Sequence, residues 1–167
     1  MTSFTSLKNW MLLALLFVAG QAAAQQVFLS EVFSKCTSKD PDNPGTKMED
    51  GMEPNTLSSC WRFVYGYVGE GNAKFGASKK GGILVTPSID LTDASATYTL
   101  KFQACAWSKD ATSLMVQVDE QEAVEFTGLT NDPAPNAANM KDFSLEIKGT
   151  AASKITFSSS VESKGRF

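Results

Sequence analysis

The chain contains no histidine, and that absence removes Ser-His-Asp and Cys-His catalysis together with every histidine-ligated metal site. Neither the nucleophile-elbow pattern G-x-S-x-G nor the phosphate-cradling P-loop pattern occurs. Basic residues are the minority, 15 Lys and Arg against 18 Asp and Glu. Nucleic-acid affinity rests on clustered Lys and Arg, and the one such cluster, Lys79-Lys80, sits among turn residues where solvation explains it. Nucleic acid is therefore excluded as a partner. No apolar run reaches the roughly twenty residues that a membrane span needs.

What is present starts at the N-terminus. Lys8 supplies a positive region, Trp10 to Val18 an apolar stretch of about half that length, and Ala22-Ala-Ala24 a small-residue cleavage site. Met1 to Ala24 reads as a signal peptide, with cleavage after Ala24. The product is expected to be secreted, at the cell surface or periplasmic, and not inserted in the membrane. Residues 25–167 are then one domain, 143 residues long, enough to bury a real core.

Those residues read as all-β. Ile83-Leu-Val85 is β-branched and apolar, Pro87 interrupts pairing, and Ile89 and Leu91 resume the apolar phase. Gly76 to Gly82 is a short polar connector ended by glycines, of the kind that joins antiparallel strands. From Tyr98 the alternation is clean. Tyr98, Leu100, Phe102, Ala104 and Ala106 share one face; Lys101, Gln103, Cys105 and Trp107 share the other. Leu114, Val116 and Val118 pair with a return strand at Val124 and Phe126, Phe143 to Ile147 alternates, and Ile155 and Phe157 close the series. Strands recur about every ten residues, as in a sandwich or barrel, and no convincing helix follows residue 24. Thr130 to Asn139 reads as a surface loop. A longer polar loop runs from Lys39 to Asn55 and carries Asp40, Asp42, Glu49, Asp50 and Glu53.

The run K-F-G-x-S-x-K-x-G-x-L-x-T-P-x-I-D-L from Lys74 to Leu91, followed by A-T-x-T-L-x-F-x-A-x-A-W to Trp107, resembles the jelly-roll β-sandwich modules of secreted Bacteroidetes-type proteins. Those modules are similar to cleaved-adhesin, MAM-like and carbohydrate-binding domains. The likeness reaches back to Glu31-Val-Phe-Ser-Lys-Cys36 and forward to Lys154-Ile-Thr-Phe157 and Gly165-Arg-Phe167. Gly71-Asn72-Ala73 stands where the family usually has a cysteine, and the family's G-R-F continues into one more strand, so the domain is expected to be truncated at its C-terminus. The resemblance implies an antiparallel jelly-roll sandwich. It also implies a structural calcium ion held by an acid of the first strand, here Glu31, with loop oxygens and a last-strand acid. Acids of the 39–55 loop offer further hard oxygen ligands of the kind Ca²⁺ takes in number.

A bridge between Cys36 and Cys60 would close the long loop, worth ~3 kcal/mol on a loop-entropy argument; Cys105 is then left over as a half-buried free thiol, with a bridge to Cys36 as the competing reading, and spacing does not decide between them. Ligand recognition would fall to aromatics that stack on sugars or peptides: Trp61, Tyr65, Tyr67 and Trp107, the last flanked in phase by Lys101 and Gln103. Packing into the core competes with binding for each of them. A glycosidase needs two convergent carboxylates, whereas Asp90, Asp93 and Asp119 to Glu125 fall in turns. The expectation is a non-catalytic carbohydrate-binding or adhesion module whose partner is a glycan or a cell-surface protein. The alternatives are a structural or protein-interaction domain of a larger surface protein, and a glycan-active enzyme.

Overall fold

The computed structural model describes residues 27, 29–36, 46–48, 60–69, 71–132 and 139–167. The expected signal peptide and most of the 39–55 loop, with Asp40, Asp42, Glu49, Asp50 and Glu53, lie outside them. The described residues form eleven strands and no helix. In chain order these are β1 (Arg62–Val64), β2 (Gly66–Val68), β3 (Ala73–Phe75), β4 (Ile83–Val85), β5 (Tyr98–Ala104) and β6 (Ala106–Trp107). They continue with β7 (Ser113–Val118), β8 (Val124–Thr127), β9 (Asn131–Asp132), β10 (Lys141–Ile147) and β11 (Ile155–Ser159).

A five-stranded antiparallel sheet has the order β1-β4-β11-β7-β8. Strict alternation makes one face of it apolar. Phe63, Leu84, Phe157 and Val116 lie in one register row across four strands and are all buried. The neighbouring rows, Val85–Thr156–Gln117 and Ile83–Ser158–Met115, point the other way and are half-buried.

The apolar face is covered by an antiparallel pair, β5 with β10, in which Tyr98, Leu100 and Phe102 stand opposite Ile147, Leu145 and Phe143. The two sheets meet through aromatic rings. Phe102 lies edge-on to Phe157 and to Phe126, each with centroids 5.1 Å apart, and stacks on Phe143 at 5.3 Å. Face-to-face packing of antiparallel sheets is the sandwich solution to burying one side of each, and a buried Phe contributes about 1.5–3 kcal/mol. The outer face of the β5–β10 pair is polar and exposed, with Thr99, Lys101 and Gln103 beside Glu146, Ser144 and Asp142.

Turn acids hold the connections. Asp90 Oδ1 accepts from the backbone N–H and hydroxyl of Thr92, and Asp93 Oδ1 does the same with Ser95, which are local turn-forming bonds. Asp119 accepts from the Ser153 hydroxyl at 2.6 Å and from the Lys154 N–H at 2.9 Å, tying the β7–β8 turn to the turn before β11. These acids are spent on backbone geometry.

Two expectations are corrected. The Gly76–Gly82 connector does not join a paired hairpin: β3 pairs with β2, whereas β4 pairs with β1 and β11. Glycine is needed there because the chain passes close to itself. A Cβ on Gly82 would stand 2.2 Å from the Gly76 nitrogen, and Gly76 has φ +98°. The outward phase of β5 also stops early. Cys105 is buried, as are Ala104 and Ala106 on either side of it. The chain leaves the β10 ladder at Ala104, and β6 pairs in parallel with β9, so the crossing residue is covered on both sides.

Candidate functional site

Beyond that crossing, Trp107 leaves the Lys101–Gln103 face and joins the β2–β3 ribbon. On this ribbon Gly66, Val68 and Phe75 are buried, while Tyr67 and Lys74 are half-buried and directly paired. Paired residues of antiparallel strands share a face. Lys47 bridges to the other side of Tyr67, which sets Lys47, Tyr67 and Lys74 in a row. The Lys74 Nζ lies 4.6 Å from the centroid of the Tyr67 ring and 4.6 Å from that of Trp107. Arg166 brings its guanidinium carbon 5.8 Å from the Trp107 ring. Cation–π contacts of this kind contribute about 0.5–1 kcal/mol at exposed sites and more when desolvated.

The chain end positions Arg166. Phe167 exchanges two backbone hydrogen bonds with Phe75, at 2.8 and 3.1 Å, and their rings lie 5.4 Å apart. The Trp107 N–H donates to the Arg166 carbonyl and the Ala111 N–H to that of Lys164. The Arg166 Nε donates to Asp110 Oδ2 at 2.6 Å and its Nη2 to Asp110 Oδ1 at 2.9 Å, a bidentate pair on a carboxylate only 3% exposed. That hydrogen bonding holds the Asp110 carboxyl below the usual carboxylate range and raises Arg166. Lys74 is lowered, first by burial and then by the positive charge of Arg166.

Next to this row, Lys47, Met48, Phe63, Val64, Tyr65 and Gly66 line a surface depression of about 290 Å³. Tyr65, one of the sequence candidates, is 41% exposed at its rim and has φ +51°. The other candidates are scattered. Trp61 is buried against Phe33, with ring centroids 6.1 Å apart, and its Nε1 has no hydrogen-bond partner among the described residues. Lys101 and Gln103 remain on the exposed β5–β10 face, where the Gln103 amide donates to Asp142. The structure therefore brings Trp107 together with Tyr67, not with Lys101 and Gln103.

Glu31 Oε1 accepts from the Phe33 N–H at 2.6 Å. Among the described residues no group of three or more Asp, Glu or Cys side chains gathers as a cation site would require. Cys36 and Cys105 are buried and Cys60 is exposed, and no disulfide joins them. Burial, and then the charge of Glu31, push the Cys36 thiol up to about 12, so it stays protonated at neutral pH and is no nucleophile.

Lys47, Lys74, Asp110 and Arg166 were not among the sequence candidates. Asp110 and Arg166 are 56 residues apart in the chain, and no local spacing announces such a pair. Compared with protein-family models, with curated proteins and with solved structures, the chain matches none.

Proposed function

We propose that the chain is a secreted, non-catalytic β-sandwich module of jelly-roll type that binds carbohydrate or acts in adhesion. One observation carries this reading: two half-buried aromatic rings, Tyr67 and Trp107, stand together at the surface with Lys74 between them and Arg166 alongside. Aromatic faces edged by hydrogen-bond donors suit sugar rings, which are apolar on their C–H faces and polar at their rims. The neighbouring depression at Tyr65 extends the surface a ligand could cover. Turn-bound acids and a protonated, buried Cys36 favour binding over turnover.

The secretory signal at Met1–Ala24 and a calcium ion at Glu31 belong to the same proposal. The test is a glycan array probed with the wild type, Trp107→Ala and Lys101→Ala. Binding that disappears with Trp107→Ala and persists with Lys101→Ala supports the site. Binding that survives Trp107→Ala places the site elsewhere, and an array without signal favours a structural or protein-interaction role.

A further inference from the structure

Two aromatic residues among those described have left-handed backbone, Phe33 with φ +52° and Tyr65 with φ +51°, a conformation that strains a bulky residue. Phe33 offsets the strain by packing, its ring centroid lying 6.1 Å from that of Trp61 and 6.4 Å from that of Phe75. Tyr65 does not. It is 41% exposed, and among the described residues its ring makes no ring contact and its hydroxyl no hydrogen bond. Tyr65 is the single residue between β1 and β2, and its carbonyl accepts from the Gly76 N–H at 2.8 Å, so the fold fixes the turn that presents the ring. The depression of about 290 Å³ at whose rim it stands is lined by buried Met48 and Phe63 and by exposed Lys47. Lys47 is also paired with Tyr67, and paired residues share a face, which makes the depression continuous with the Tyr67–Trp107 surface.

We infer that Tyr65 and this depression are a second sugar-binding subsite, and that the ligand is an internal segment of a linear glycan rather than a single terminal sugar. The inference rests on the carbohydrate-binding reading above and specifies its ligand class. One sugar ring stacks on the Tyr67–Trp107 pair, and a neighbouring one lays its C–H face against Tyr65 over Met48 and Phe63. A depression open to solvent lets the glycan run on in both directions, where a closed pocket would take a chain end. The strain at Tyr65, which no packing offsets, is then held for recognition, as strained backbone at ligand sites is.

The test is calorimetric titration of the full chain with linear oligosaccharides of two to six residues from cellulose, xylan, mannan and chitin, using the wild type, Tyr65→Asn and Trp107→Ala, with thermal unfolding of each protein. The hexasaccharide of the series that binds should bind at least about tenfold more tightly than its disaccharide. Asparagine tolerates the left-handed conformation, so Tyr65→Asn should keep the fold and raise Tm by about 2–4 °C. The same variant should weaken the hexasaccharide about tenfold and leave the disaccharide unchanged, whereas Trp107→Ala should remove binding of both. Equal affinity for the two lengths, or a hexasaccharide affinity that Tyr65→Asn does not change, overturns the second subsite and leaves carbohydrate binding at Trp107 standing. So does a Tm lowered by Tyr65→Asn, which would show that packing holds the ring. Binding that Trp107→Ala does not affect, or no binding in any series, overturns both.

Discussion

Asp110 holds Arg166 through two parallel hydrogen bonds, 2.6 and 2.9 Å long, and accepts a third at 3.1 Å from the Arg166 backbone N–H. One carboxylate thus fixes both the side chain and the main chain of the segment that runs beside Trp107. Asp110→Asn should cost about 2–4 kcal/mol, because it leaves a partly buried guanidinium short of its counter-charge. Arg166→Lys should recover little, since an ammonium does not match the bidentate geometry. Chemical denaturation of the three proteins checks both.

The same pair sets an acid limit. The Asp110 carboxyl is lowered in the fold, chiefly by its hydrogen bonds to Arg166, while an unfolded Asp titrates near ~3.9. Its contribution is therefore complete above that unfolded value and is lost as the pH falls through the lower, folded one. Below about pH 4 the wild type should lose stability more steeply than Asp110→Asn, and the two curves should converge at low pH. Parallel curves would show that other groups govern the acid limb.

Phe157 touches the ring of Phe102 from the centre of the five-stranded sheet and is buried. Phe157→Ala should cost about 3–5 kcal/mol, because it opens a cavity where the two sheets meet. Phe157→Leu should cost less, since most of the volume is kept. Thermal unfolding of both variants measures the difference.

Gly82 is a steric requirement. An added Cβ would meet the Gly76 nitrogen at 2.2 Å and the Phe75 carbonyl carbon at 2.4 Å, both of them backbone atoms. The Gly82 N–H also donates to the Ser159 hydroxyl at 2.7 Å. Gly82→Ala should therefore destabilise by about 1–3 kcal/mol despite alanine's lower chain entropy. A stabilised Gly82→Ala protein would show that the close approach relaxes freely.

The cysteines separate by reactivity. In the reduced protein Cys60, which is exposed, should alkylate rapidly at pH 8, while Cys36, buried and raised to about 12, should react only on unfolding. Peptide mapping of the alkylated chain reads this directly. Mapping without reductant should show the same pattern, since no disulfide joins Cys36 to Cys60.

Much of the sheet was legible because burial on one side of a strand writes a period of two into the sequence. Leu114, Val116 and Val118 show it in β7, and Phe143, Leu145 and Ile147 in β10. The reading of one continuous outward phase ended at Cys105, where the chain changes sheets. A residue covered on both sides by a crossing has no periodic signature. Tyr67 and Trp107 were recognisable as aromatics able to recognise a ligand, but not as neighbours. Their meeting depends on β6 swinging to the β2–β3 ribbon and on Arg166 reaching back to Asp110, and both are long-range relationships that side-chain spacing does not encode.

The central place of β11 bears on the order of assembly. It lies between β4 and β7, about seventy and forty residues earlier in the chain, so the middle of the five-stranded sheet is its last piece to be synthesised. Until residues 155–159 arrive, β4 and β7 each carry an open ladder edge, and Leu84 and Val116 lack the Phe157 that joins their row. Closing such long loops makes folding slow. A nascent chain with two open edges is then more exposed to strand-to-strand aggregation than the finished protein.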